Sequence, residues 1–194
     1  MKATEGTGFV DKQCDGFMEQ AKKLNKLKGV YHFLRKGGGK SQAQYFLDNI
    51  RGYLNKDVVL FLDFEEVWLT PTYSEKPSVQ DCVDFVDEVI RQTGVTPVMY
   101  MNESDANYYD WSPIIKRNCG LWVAKYSSQQ PNIKQWGFYM MWQYTSSPLD
   151  KNYFYGDKDT WLAYSGNKQK EQLVYYKDGV RFKICSIALL ASSV

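Results

Sequence analysis

Two hydrophobic periods alternate through the first half of the chain. Val30–Leu34 (VYHFL), Val58–Trp68 (VVLFLDFEEVW) and Thr96–Asn102 (TPVMYMN) are short runs rich in Val, Leu, Phe and Tyr. Such runs read as buried strands. Between them, apolar residues recur three and four positions apart, which reads as helices burying one face. Phe17, Ala21, Leu24 and Leu27 form one such stripe within Phe9–Leu27, and Gly29 is expected to end that helix. Ala43, Phe46, Leu47, Ile50 and Leu54 form a second stripe. Val79, Cys82, Val83, Val86, Val89 and Ile90 form a third, opened by Ser78 with Asp81 at the third helical position, close to a capping box, and stopped by Gly94. Met1–Gly6 reads as the end of a strand and a loop, and Glu66–Pro77 as a polar, Pro-containing loop.

The second half leaves less room for helices. Ser104–Asn118 is mixed, with one short helix. Leu121–Tyr126 (LWVAKY) and Tyr139–Tyr144 (YMMWQY) read as strands, and Asp159–Tyr164 as one helical turn or two. Alternating strands and helices predict a parallel sheet with right-handed crossovers, and repeated units suggest a barrel. The fold class is therefore α/β: an irregular TIM-like β/α barrel with few helices in its second half. Leu173–Ile184 (LVYYKDGVRFKI) differs in kind, with Asp178-Gly179 between two apolar arms as in a hairpin. The division expected is a barrel over residues 1–164 and an extension over 165–194.

The stretch Val58–Trp68 organises the rest. Side chains alternate across a strand, so Leu60, Leu62 and Phe64 face one way. Val59, Phe61, Asp63 and Glu65 face the other, with the two carboxylates about 6.5 Å apart at Cα. At the C-terminal end of a barrel strand both point into one interior space, where catalytic groups sit. Two unpaired charges there are costly, so the pair is expected to do chemistry or bind a ligand.

Composition narrows the chemistry. Aromatics make up 16% of the chain, with 15 Tyr and 6 Trp, which fits a Tyr-rich core or a cleft whose rings stack on sugars. A net charge of +2 without a Lys/Arg block argues against dedicated nucleic-acid binding. Cys14, Cys82, Cys119 and Cys185 are widely spaced and read as free thiols of a cytosolically made protein, neither a zinc pattern nor a disulfide framework. His32 is the one histidine, which rules out a multi-His metal site and leaves no convincing serine triad; it reads as a core residue. No cofactor is called for. Lys36–Ser41 (KGGGKS) ends like a phosphate loop, but the earlier glycine that pattern requires is Leu34, so the stretch reads as a flexible turn. No signal peptide or membrane-length apolar run is visible. The expectation is a monomer, made in the cytoplasm, with no membrane insertion.

Seven pieces occur in one order: KATEGTGF (Lys2–Phe9), YHF (Tyr31–Phe33), LDFE (Leu62–Glu65), Tyr100 in VMYMN, LWVAKY (Leu121–Tyr126), MWQYTS (Met141–Ser146) and LDKNYF (Leu149–Phe154). In them the chain resembles the family-25 glycoside hydrolases, the Chalaropsis-type lysozymes, and most of all phage endolysins. The resemblance implies an irregular β/α barrel. It also implies an N-acetylmuramidase cleaving the β-1,4 bond between N-acetylmuramic acid and N-acetylglucosamine in bacterial peptidoglycan, acting at the cell wall after release. It maps the proton donor to Glu65 and places Asp63 and Asp150 beside it, with Tyr31, Tyr100, Trp122 and Gln143 lining the substrate groove. Trp68, on the loop after the acid, fits either groove or core. Family members begin with a strand carrying a further active-site aspartate just before the KATEG sequence. Relative to that pattern the chain is N-terminally truncated, two sheet edges are expected to lie open, and the C-terminal arms are candidates to cover them.

Glycoside hydrolysis needs an acid for the leaving oxygen and negative charge for an oxocarbenium-like transition state. Asp63 ionised would hold the proton on Glu65. Attack by the substrate's own 2-acetamido oxygen and direct attack by water both remain open. Two other function classes stand beside the muramidase: a folded wall-binding protein, inactive without the first strand, and a hydrolase of the family-18 chitinase type. The latter's DxDxE pattern wants an aspartate where Phe61 stands.

Overall fold

The computed structural model describes residues 1–54 and 57–166, together with the backbone of 173–177 and 180–184. In chain order its elements are β1 (Lys2–Glu5), β2 (Phe9–Val10), α1 (Cys14–Lys23), β3 (Lys28–Phe33), α2 (Gly39–Ile50) and β4 (Val58–Asp63). A small hairpin follows, β5 (Val67–Thr70) and β6 (Tyr73–Glu75), and then α3 (Val79–Thr93), β7 (Val98–Asn102), α4 (Glu103–Tyr108) and α5 (Ser112–Ile115). The chain continues through β8 (Leu121–Ala124), β9 (Met141–Thr145), β10 (Lys151–Phe154) and α6 (Lys158–Tyr164), with β11 (Leu173–Lys177) and β12 (Val180–Ile184) last.

One 8-stranded sheet runs in the order β10-β9-β8-β7-β4-β3-β1-β2. The strands from β1 to β9 within it pair parallel with their neighbours. β2 and β10 close its two ends as antiparallel edges. The expected parallel sheet is thus present, and β4 lies in its middle, buried along its whole length. Helices thin out after α3, as the second half of the sequence implied. Residues 2–5, read as a strand end and loop, form a full strand, and its outer edge is taken up by β2. The C-terminal arms do not join the main sheet. β11 and β12 pair with each other, Lys177 opposite Val180, as the hairpin signal predicted. Asp178, Gly179 and Cys185 lie outside the described residues.

The sheet separates two apolar clusters. On one side Leu60, Leu62 and Phe64 meet α2 and α3 through Phe46, Leu47, Phe85, Val86 and Val89. On the other, Val59, Phe61 and Val98 meet Met140, Met141 and Trp161. Trp161 comes from α6, and its Nε1 donates to Lys28 O over 3.1 Å. That bond sets α6 against the N-terminal ends of the strands, the end opposite the carboxylates.

α3 has the predicted boundaries for the predicted reasons. Ser78 Oγ accepts from Asp81 N at 3.1 Å, Asp81 Oδ2 accepts from Ser78 N at 2.9 Å, and Gly94 takes the left-handed conformation at φ 69°. α1 departs from its prediction. Phe9 and Val10 are a strand, and the buried face carries Cys14 and Met18, while Phe17, Leu24 and Leu27 are exposed. Asn25, at φ 50°, ends the helix. Gly29 does not stop it; it lies inside β3, where a Cβ would sit 2.5 Å from the Phe61 ring. Glycine there makes room for a large interior side chain. Gly39 likewise lets α2 approach α3, since a Cβ would fall 2.0 Å from Asp81 O. The stretch expected as a loop over Glu66–Pro77 contains the β5–β6 hairpin. Lys151–Phe154, unassigned from the sequence, is a strand because it pairs with β9.

Candidate active site

Three carboxylates and a set of aromatic rings converge at the C-terminal ends of the parallel strands. A cavity of about 210 Å³ is lined by Tyr31, Asp63, Glu65, Tyr100, Trp122, Tyr126, Gln143 and Asp150. Each strand delivers its residue by register. Phe33 lies opposite Asp63, Asp63 opposite Tyr100, and Tyr100 opposite Trp122. Ala124 lies opposite Gln143. β4 ends at Asp63, but pairing carries on for one residue, with Phe64 N donating to Tyr100 O at 2.9 Å. Glu65 is therefore held immediately beyond a fixed strand end.

The walls are fixed by their own contacts. The Tyr100 hydroxyl donates to Gln143 Oε1 at 2.6 Å, and both residues are buried. Trp122 packs edge-on against Tyr100 and Phe61, at 4.7 and 5.3 Å between ring centroids. Its Nε1 donates to Asn152 Oδ1 at 2.8 Å, tying β8 to β10. Burial, then Asp63, pushes the Tyr31 hydroxyl well above its ordinary value, so it stays a neutral donor.

Asp63 is the most buried of the three carboxylates in the cavity, and its Oδ1 has no hydrogen-bond partner among the described residues. Burial raises its carboxyl well above the usual range, and the neighbouring Glu65 raises it further. Glu65 is also raised, first by burial, then by Asp105 and Asp150. Contact with the Tyr100 hydroxyl and the charge of Lys76 pull the other way. The two acids therefore titrate as a coupled pair that resists losing both protons. The sequence expectation put the charge on Asp63 and the proton on Glu65. Burial weighs against that partition, because it makes Asp63 the harder of the two to ionise.

Of the residues singled out from the sequence, Tyr31, Asp63, Glu65, Tyr100, Trp122, Gln143 and Asp150 share this cavity. Trp68 does not. It stands 64% exposed on β5, outside both the core and this cavity. His32 is a core residue, fully buried, with Thr4 Oγ1 2.8 Å from Nδ1 and Gln42 Oε1 3.1 Å from Nε2. Burial lowers its pKa to about 4 and keeps it neutral. Tyr126 was missed. It is the aromatic just past the end of β8, and its place in LWVAKY, one period beyond Trp122 and Ala124, was the available signal. Cys14, Cys82 and Cys119 are free and buried. Among the described residues no three His, Cys, Asp or Glu side chains stand together at metal-binding spacing, and no helix is long and apolar enough to cross a membrane.

Fold and site together define a class: α/β barrels with a carboxylate pair at the end of a central strand, facing an aromatic-walled cleft. The family model for glycosyl hydrolases family 25 matches residues 1–152. The chain belongs to that family. It is 29% identical over 163 residues to the lysozyme of Streptococcus phage Cp-9, an alignment covering 78% of this chain and 45% of that protein. The chain thus spans about half the length of such relatives. Among solved structures it resembles a muramidase from Acremonium alcalophilum, with 29% identity, TM-score 0.67, and 86% and 85% of the two chains covered. It also resembles the bacterial lysozyme from Streptomyces coelicolor, with 25% identity, TM-score 0.69, and 86% and 84% covered. The fold is accordingly the distorted barrel of these lysozymes.

Proposed function

We propose that this chain is an N-acetylmuramidase that hydrolyses the β-1,4 bond between N-acetylmuramic acid and N-acetylglucosamine in bacterial peptidoglycan. The observation that carries the reading is the convergence of Asp63, Glu65 and Asp150 in one aromatic-walled cavity, in a chain whose relatives are named lysozymes and muramidases. Glu65 is the general acid. Burial raises its carboxyl above the ordinary range, which favours the protonated form a general acid needs, and Glu65 gives that proton to the leaving oxygen as the glycosidic bond breaks. It then takes a proton from the water that completes hydrolysis. Asp150 and Asp63 supply negative charge for the oxocarbenium-like transition state.

The unpartnered Asp63 Oδ1 gives the pair a substrate-dependent partition. The N–H of a 2-acetamido group is the donor this oxygen lacks. Hydrogen bonding to an ionised carboxylate favours ionisation, so a bound acetamido sugar moves the charge to Asp63 and the proton to Glu65. The same contact aims the acetamido oxygen at the anomeric carbon, which favours substrate assistance over direct attack by water. Proton NMR of the first-formed anomer separates the two routes: retention for acetamido attack, inversion for water.

The test is release of new reducing ends from purified Gram-positive peptidoglycan by the wild type and by Glu65→Gln. Cleavage by the wild type alone supports the assignment, and cleavage by both removes Glu65 from the mechanism. Binding of the wall by a folded wild-type chain without new reducing ends would instead support the wall-binding reading. The division into a barrel over 1–164 and a separate extension over 165–194 is part of the same proposal, and a chain ending at residue 164 that still cleaves supports it.

A further inference from the structure

Over the ring of Phe64, the residue just before Glu65, stands the Lys76 ammonium. Lys76 follows β6, and its Nζ lies 2.5 Å from both carboxylate oxygens of Asp105 on α4. The same ammonium sits over the rings of Phe64 and Tyr109, at 5.4 and 5.6 Å from their centroids. Asp105 is itself pinned. Asn102, at the end of β7, donates Nδ2 to its Oδ2 at 2.7 Å and accepts its backbone N–H at 2.8 Å. Both side chains of the pair are shielded, 22% exposed for Lys76 and 10% for Asp105. The segment so fastened is the β5–β6 arm, which leaves the strand at Glu65 and returns at Lys76.

We propose that Lys76 is a positioning residue for Glu65, clamped by Asp105 so that it anchors the arm that follows the acid and holds a fixed positive charge there. The inference rests on the reading of Glu65 as the acid. An apolar pair of similar volume would fasten the arm as well as this ion pair does, but it would not supply charge. The charge matters because the other groups facing Glu65 push one way. Asp63 from β4, Asp150 from before β10 and Asp105 from α4 are all acidic, and Lys76 and the Tyr100 hydroxyl oppose them. Without Lys76, the Asp105 charge would also stand unbalanced.

The experiment is a carbon-13 NMR titration of the Glu65 carboxyl in the full chain, with the resonance assigned by its loss in Glu65→Gln. Lys76→Met should raise the midpoint by roughly half a pH unit or more, Lys76→Arg should leave it near wild type, and Asp105→Asn should lower it. An unmoved midpoint in folded Lys76→Met overturns the proposal. Should that variant fail to fold, Lys76→Gln decides: a raised midpoint supports the proposal, and an unmoved or lowered one overturns it. Wall hydrolysis against pH, measured on the same proteins, should show its basic limb following the midpoint. If the midpoint moves and even the wild type releases no reducing ends, the hydrolase reading has failed while the coupling of Lys76 to Glu65 stands.

Discussion

Leu60, Leu62 and Phe64 point from β4 toward α2 and α3, while Val59, Phe61 and Asp63 point from the same strand into the barrel, with Glu65 just beyond. The helix side of β4 itself is apolar and packs into the larger core cluster. The interior side is apolar only at its N-terminal end, where α6 covers it, and becomes acidic toward the mouth. One carboxylate oxygen there, Asp63 Oδ1, has no hydrogen-bond partner among the described residues. Two faces of one strand, built from alternate residues, thus meet different demands. One side buries area and holds the molecule together. The other accepts buried carboxyls, which costs stability when they are charged, and burial raises their proton affinity.

The sharpest way to test that contrast is to change one residue on each face. Glu65→Gln should lower peptidoglycan hydrolysis by about 10²–10⁴-fold and leave the thermal midpoint close to wild type, since an amide replaces an acid of the same shape. Leu62→Ala should do the opposite. Leu62 is fully buried, and its truncation should cost about 2–5 kcal/mol in urea unfolding, with activity per folded molecule retained. A loss of stability in Glu65→Gln as large as that in Leu62→Ala would erase the distinction between the faces.

The interior face has its own packing limit at the covered end. Gly29→Ala would place a methyl group 2.5 Å from the Phe61 ring. Overpacking of this kind should cost roughly 1–3 kcal/mol, read as a lower urea midpoint at unchanged slope. A neutral or stabilising substitution would mean that Phe61 has room to move, and that the floor beneath the carboxylates is looser than the contacts with Trp122 and Trp161 imply.

Much of this was legible in the sequence because alternation within one strand is a local property. The two faces of β4 and the meeting of Asp63 with Glu65 followed from period alone, and the ends of α3 followed from Ser78, Asp81 and Gly94. Gathering Tyr31, Tyr100, Trp122, Gln143 and Asp150 around them required the family resemblance, because strand register between distant segments leaves no local mark. Two of the failures share a cause. Phe17, Leu24 and Leu27 have helical spacing, but which face α1 buries is set by what it packs against, and Cys14 and Met18 make that contact. Gly29 looked like a helix stop because its actual constraint, the Phe61 ring, lies on another strand. The β5–β6 hairpin did have a local signal, Pro71 between two threonines and flanked by Trp68 and Tyr73, and the polar composition hid it. The pairing of Lys76 with Asp105 joins residues 29 positions apart and left no trace in the pattern.

The smallest effect concerns the charge cost of the interior face, and its sign follows from linkage. Asp63 has a folded-state pKa raised well above its unfolded value by burial and by Glu65. Between those two values the native state holds a proton that the unfolded chain has released. Stability must therefore fall as pH rises through that window. The contribution is fully present below the unfolded pKa of about 3.9 and is lost as pH passes the folded one. Glu65, raised less by the same kind of burial, adds to the same slope. Glu5, Asp87 and Glu88 are shifted downward by their Lys and Arg partners and give the opposite slope, so the whole-protein curve mixes both signs. The difference between wild type and Asp63→Asn isolates the interior term. Urea unfolding from about pH 4 to about pH 8 should show the variant gaining on the wild type as pH rises, by on the order of 1 kcal/mol at the upper end, while its hydrolysis falls. A variant that loses ground with rising pH would mean that Asp63 is stabilised as a charge in the native state, and the two faces of β4 would then differ in composition without differing in what they cost.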